Sequence, residues 1–264
     1  MDTQNMKQFL LLVILSGSLS LQASFLGLES KNVGFGEAYY KIKDIKERKK
    51  AFMDILHPLV VKAQEKILEE QDYVRSYFKI KGLVIIPTYM KKRMLAIDKK
   101  YHIKKNKVLK TYLTKIDIIH EPLVLAQAAV ESAWGTSRFT KLANNIFGEW
   151  TWGKKGIIPA GRPAGKKYKI RIFDTIQESV DAYMLNLNRH YRYDDFRQAR
   201  YAKRKIGKCF QGKEATNYLQ AYSGIGDEYA KMLKGVINYN KMCEYSLLKD
   251  MINKDQKESL LINH

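Results

Sequence analysis

Acidic residues are scarce in this chain: 27 Asp and Glu stand against 47 Lys and Arg, a formal charge of +20 over 264 residues. A deficit of that size draws anionic partners over long range. Nucleic acid, anionic lipid headgroups and the carboxylate-bearing peptides of a bacterial wall all qualify on charge alone. Cysteine is nearly absent, and Cys209 and Cys243 lack Cys-x-x-Cys spacing. The five histidines, His57, His102, His120, His190 and His264, contain no His-Glu-x-x-His pair. Neither a metal site nor a cofactor is therefore expected. No window beyond the N-terminus approaches the roughly 20 apolar residues of a membrane span, and no internal repeat or low-complexity linker divides the chain.

What is present begins with a short apolar run. Lys7 precedes "FLLLVIL" at 9–15, and "SGSLSLQAS" follows, the pattern of a secretory signal over residues 1–23. Cleavage near Ala23 fits, although Leu21 is a poor residue at the −3 position; uncleaved, the segment is a weak anchor. It holds no cysteine for lipid attachment. Export to the periplasm or cell envelope removes nucleic acid from the partners and leaves wall glycan, with proximity to a membrane surface compatible with the same charge. In an oxidising compartment Cys209 and Cys243 either pair or remain two buried thiols.

A composition 45% hydrophobic and 11% aromatic supports one sizeable core with a helical extension. Residues 44–79 place Phe52, Ile55, Leu56, Leu59, Val60 and Ala63 at helical spacing, and Pro58 predicts a kink or break, hence a helical pair with a solvated outer face. Residues 81–107 are Lys-rich and carry no clear pattern. The expected organisation is a signal over 1–23, a helical extension over 24–110, a domain over 111–245 and a tail over 246–264. Within the domain, Pro122 suits a helix start, and Leu123, Gln127, Val130 and Trp134 follow along one stripe. Gly135 predicts a left-handed cap, and Thr136 or Ser137 the start of a short helix to Leu142. "YKIRIF" at 168–173 predicts the strand of a small hairpin, and Thr175-x-x-Glu178 a capping box. Arg197, Arg200 and Arg204 share a helix face, read as a wall-binding patch or a solvated surface.

Glu131 lies at the edge of the apolar stripe. A carboxyl group among apolar and aromatic neighbours stays protonated near neutral pH and can donate a proton to a leaving oxygen, as glycoside cleavage requires. Phe147, Trp150 and Trp152 suit a sugar-binding groove, and Trp134 and Asn145 complete the candidate substrate-binding set.

The stretch "LAQAAVESAWGTSRFTKLANNIFGEWTW" resembles the active-site segment of the endo-β-N-acetylglucosaminidases of glycoside hydrolase family 73. The Glu-Trp continuation and the N-terminal extension look most like its Bax-type members. "AYSGIGDEYAKML" is similar to a second family segment, with one residue inserted. The resemblance, over about 111–240, implies a lysozyme-like α+β fold, mainly helical, with a small β-hairpin lobe. It also implies hydrolysis of the GlcNAc–MurNAc bond of peptidoglycan, with Glu131 as general acid and Tyr222 lining the cleft. Many members carry a second glutamate in the hairpin, and here Thr151 to Phe173 contains no acidic residue. Glu149 is one substitute. The substrate's own 2-acetamido group, oriented by Tyr222, is another and the one favoured. A lytic transglycosylase and a non-catalytic wall-binding protein are the rival expectations.

Overall fold

The structure, a computed structural model, describes residues 34–219, 222–223, 225–240 and 242. The expected signal segment, the tail from 246 and Cys243, and with it the Cys209–Cys243 pairing, lie outside the described residues.

A one-turn helix α1 (Glu37–Lys41) leads into α2 (Ile45–Ile80), whose Asp44 cap accepts the Glu47 N–H at 2.8 Å. Pro58 neither ends nor divides this 36-residue helix. The proline is exposed, and the apolar stripe Phe52, Ile55, Leu56, Val60, Ala63, Ile67 continues in phase on both sides of it. Burial of that stripe therefore outweighs the roughly 3 kcal/mol that an interior proline costs. The Lys-rich stretch without clear pattern contains α3 (Thr88–Lys100), followed by α4 (Leu109–Lys115).

Helix α5 (Glu121–Glu131) begins with Pro122 in its first turn, as its sequence predicts, but is buried all round from Glu121 to Ala129. It is the central helix, packed against α2 and α10 (Asp227–Tyr239), so it has no polar face to contrast with a stripe. Helix α6 (Arg138–Ala143) starts at the Ser137 hydroxyl, which accepts the Thr140 N–H at 3.2 Å. Strands β1 (Trp150–Thr151), β2 (Gly156–Ile157) and β3 (Lys169–Arg171) pair antiparallel in the order β1-β3-β2. The lobe is thus three-stranded with β3 central, and the 168–173 strand is shorter than its alternation suggests. Helix α7 (Ile176–Arg189) is capped by Thr175, although the Glu178 carboxylate accepts the N–H of Asp174 and not that of Thr175. Helices α8 (Asp194–Lys205) and α9 (Gly212–Ala215) precede α10.

The arginine face of α8 is neither solvated nor a wall-binding patch. Arg197 and Arg200 are at most 2% exposed. Arg197 donates to the carbonyls of Leu187 and His190 at 2.9 and 2.8 Å. Arg200 donates to the carbonyls of Thr114, Asp117 and Ile118, and Arg204 reaches the buried Asp117 carboxylate at 3.0 and 3.1 Å. From the other side Gln64 and Gln71 of α2 donate to Ile119 and Ile116 at 2.7 and 2.6 Å, and Asn188 of α7 to Asp117 at 2.9 Å. The segment 116–119 that feeds α5 belongs to no helix or sheet, and side chains satisfy its carbonyls instead. One apolar cluster runs from Phe35 to Met242, so the N-terminal extension shares its core with the domain. The molecule is a mainly helical α+β fold with a small β lobe, preceded by a helical extension that packs into it.

Candidate active site

Glu131 is the last residue of α5 and projects from the end of the buried helix, four residues after Gln127. That i, i+4 spacing puts both side chains on one face. Gln127 is fully buried and joins a directed chain of hydrogen bonds. The Tyr183 hydroxyl donates to Gln127 Oε1, Gln127 Nε2 donates to the Tyr229 oxygen at 3.0 Å, and the Tyr229 hydroxyl donates to Glu131 Oε1 at 2.6 Å. Burial raises the Glu131 pKa above the ordinary carboxylate value, and the Tyr229 hydrogen bond opposes the rise. With Oε1 committed as acceptor, Oε2 is the oxygen able to carry a transferable proton.

Three further aromatic rings close around this chain. Tyr222 stacks on Tyr229 at 5.7 Å between centroids and donates to the Phe147 carbonyl at 2.9 Å. Phe147 stacks on Tyr183 at 3.9 Å and is 3% exposed, so it forms the floor and leaves the wall to others. Burial pushes the Tyr193 phenol up to about 12 against the pull of Arg192, and Glu149 and Glu131 both add to the rise. Tyr193 therefore stands within electrostatic reach of both carboxylates.

Glu149 sits immediately before β1, on a loop that Asn145 ties down. The buried Asn145 side chain accepts the Glu149 N–H at 2.9 Å and donates to the carbonyls of Glu149 and Arg171, both at 2.9 Å. Its side-chain valences are spent on this loop, which leaves it a scaffold residue where the sequence suggested a substrate contact. Burial pushes the Glu149 carboxyl up to about 7, opposed by Arg171 and Arg189. Its Oε2 lies 3.6 Å from Arg171, and its buried Oε1 has no hydrogen-bond partner among the described residues. Trp150 and Trp152 are 54% and 71% exposed, and Trp150 stacks on Tyr168 at 4.2 Å. The two tryptophans form an aromatic shelf on the β lobe suited to sugar faces. Trp134 faces elsewhere: its ring meets Phe52 of α2 edge-on at 5.4 Å, with Lys49 Nζ 4.7 Å away.

The turn after Glu131 is held by the extension. Ala133, Trp134 and Gly135 have φ of 49°, 55° and 75°, three successive left-handed residues, so Ser132 and not the expected glycine caps the helix. The Tyr39 hydroxyl donates to the Trp134 carbonyl, and Phe35 packs directly over Gly135. Tyr229 was not singled out in the sequence. Its signal was available as the first apolar position of the amphipathic α10, one turn ahead of Leu233 and two ahead of Ile237.

A family model described as glucosaminidase, mannosyl-glycoprotein endo-beta-N-acetylglucosaminidase, matches residues 106–242. The protein bax of Escherichia coli (strain K12) is 29% identical over 199 residues, covering 74% of this chain and 70% of that protein. Among solved structures, the catalytic domain of the autolysin Auto from Listeria monocytogenes is 20% identical at a TM-score of 0.35, covering 64% of this chain and 93% of that one. The glycoside hydrolase domain of FlgJ from Salmonella typhimurium is 21% identical at a TM-score of 0.34, covering 66% and 98%.

Proposed function

This chain belongs to the glucosaminidase family and is a glycoside hydrolase, and on that premise we propose that it cleaves the β-1,4 bond between N-acetylglucosamine and N-acetylmuramic acid in peptidoglycan, with Glu131 as the general acid. The observation that carries the proposal is the Tyr229–Glu131 hydrogen bond at the end of the buried α5, which fixes one carboxyl oxygen and leaves the other to protonate the leaving MurNAc oxygen. Burial raises the Glu131 pKa, the direction a general acid requires. Trp150 and Trp152 are suited to stack on flanking sugars, which is the role exposed rings take in extended glycan grooves.

For the second group the substrate's acetamido oxygen remains the preferred nucleophile. The Tyr222 hydroxyl already donates to Phe147, so its oxygen is free to accept the acetamido N–H and turn the carbonyl toward the anomeric carbon. Glu149 is the alternative base, and a carboxyl with a pKa about 7 and an open oxygen supports that role. The apolar run at 9–15 supports action in the cell envelope, after export.

Digestion of purified sacculi with the protein, followed by mass spectrometry of the fragments, tests the reading. Reducing-end GlcNAc is expected. Anhydro-MurNAc would assign a lytic transglycosylase, and no fragments a wall-binding protein. Glu131→Gln keeps the shape of the side chain without a transferable proton, so turnover should fall by about 10²-fold or more with folding intact. Wild-type turnover would remove Glu131 from the chemistry.

A further inference from the structure

At the far end of α2 the chain turns into α3 through "GLVIIP", and among the described residues this turn exposes three consecutive large aliphatic side chains. Leu83 is 78% exposed and Ile85 95%, with Val84 and Tyr89 also open to solvent. The turn is built and not frayed: the N–H groups of Leu83 and Val84 donate to the Ile80 carbonyl at 3.0 and 3.3 Å, and Gly82 supplies a φ of +94°. No side chain of the described residues covers it.

The surroundings of the tip are of one charge. From Tyr73 to Ile97 the sequence carries Arg75, Lys79, Lys81, Lys91, Lys92 and Arg93 and no acidic residue. Lys79, Lys81, Lys91 and Lys92 are exposed, and none lies within ion-pair distance of a carboxylate among the described residues. Beside the tip a cavity of about 330 Å³ opens between α2, α3 and α4, walled by Tyr77, Phe78 and Met94 and bordered by Lys81, Lys91 and the Asp98 carboxylate, which Lys107 pairs at 2.7 Å.

We propose that this tip is a membrane-surface anchor: Leu83, Val84 and Ile85 enter the acyl region of an anionic bilayer while the flanking lysines meet its phosphate headgroups. The geometry matches the requirement for interfacial binding, apolar side chains projecting past a collar of cations. A convex aliphatic point whose nearest carboxylate across the cavity, Asp98, is buried and paired with Lys107 suits a fluid anionic surface better than a protein groove. Each lysine near such a surface strengthens partitioning roughly five-fold, and Tyr89 sits at the boundary that amphipathic rings prefer. The inference is independent of the bond the enzyme cuts.

Co-sedimentation of the full chain with vesicles of mixed phosphatidylglycerol and phosphatidylcholine, against phosphatidylcholine alone, tests it. Binding should favour the anionic vesicles, and Leu83→Ser/Val84→Ser/Ile85→Ser should lose about ten-fold or more in partitioning while digesting soluble glycan fragments at the wild-type rate. Ile85→Trp adds a reporter at the tip itself, whose emission brominated acyl chains should quench beyond the level of the native tryptophans. Absence of that added quenching overturns the proposal, as does equal binding to both vesicle types. Self-association abolished by the serine variant, without a vesicle response, would assign the tip to a second copy of the chain and also overturn it.

Discussion

Burial raises the proton affinity of Glu131, and Tyr229 moderates it. Its hydroxyl stabilises the carboxylate and so works against the desolvation that raises the pKa. Tyr229→Phe removes the opposing influence, and the Glu131 pKa should rise further. For a general acid, activity is lost as pH climbs through that pKa, so the alkaline limb of the kcat/KM profile should move to higher pH in the variant. Turnover should also drop about ten-fold, because Gln127 loses its acceptor and the carboxyl its fixed rotamer. An unmoved alkaline limb would show that the limb belongs to a group other than Glu131. The place of Glu131 at the edge of a buried helix was legible in the sequence because its cues are local: an apolar helix, a nearby tryptophan and a glycine. Tyr229 was not, since its partner lies 98 positions away and periodicity reports only that a residue faces inward.

At the level of elements, the turn after α5 depends on the N-terminal segment as much as on its own residues. A Cβ at Gly135 would collide with the Phe35 ring, and the backbone there is left-handed as well. Gly135→Ala should therefore destabilise the fold by about 2–4 kcal/mol in denaturant unfolding. Adding Phe35→Ala should relieve the collision, making the double variant less destabilised than the sum of the two singles. Strict additivity would mean that Phe35 does not press on the turn. Helix starts at Ser137 and Thr175 follow from their own sequence because a cap is satisfied within three residues, and the start at Pro122 because its ring presets a helical φ. Strand order does not, because β3 pairs with β1 and β2 through residues up to 20 positions away. The continuity of α2 through Pro58 also depends on non-local packing, as the stripe's partners on α5 and α7 are more than 50 residues downstream.

Across the whole molecule, part of the basic excess is internal. Arg197, Arg200 and Arg204 are committed to carbonyls and to Asp117, and a sequence reading of their common face sees three cations and no acceptor. Asp117→Ala should remove the carboxylate that faces Arg200 at 3.4 Å and Arg204 at 3.0 Å and reduce stability by about 3–5 kcal/mol. The loss should appear in equilibrium unfolding as one cooperative transition, because the segment it anchors feeds the central helix. A change under 1 kcal/mol would mean that backbone carbonyls alone satisfy the arginines.

Helix α2 also acts as a spacer. Phe52, near one end, touches the tryptophan beside Glu131, and Ile80, at the other, leads into the exposed tip. At 1.5 Å per residue those two points are roughly 40 Å apart along a single rigid rod. With the tip in a bilayer, the carboxyl group works at a fixed height above it, and glycan strands outside that layer are beyond its reach.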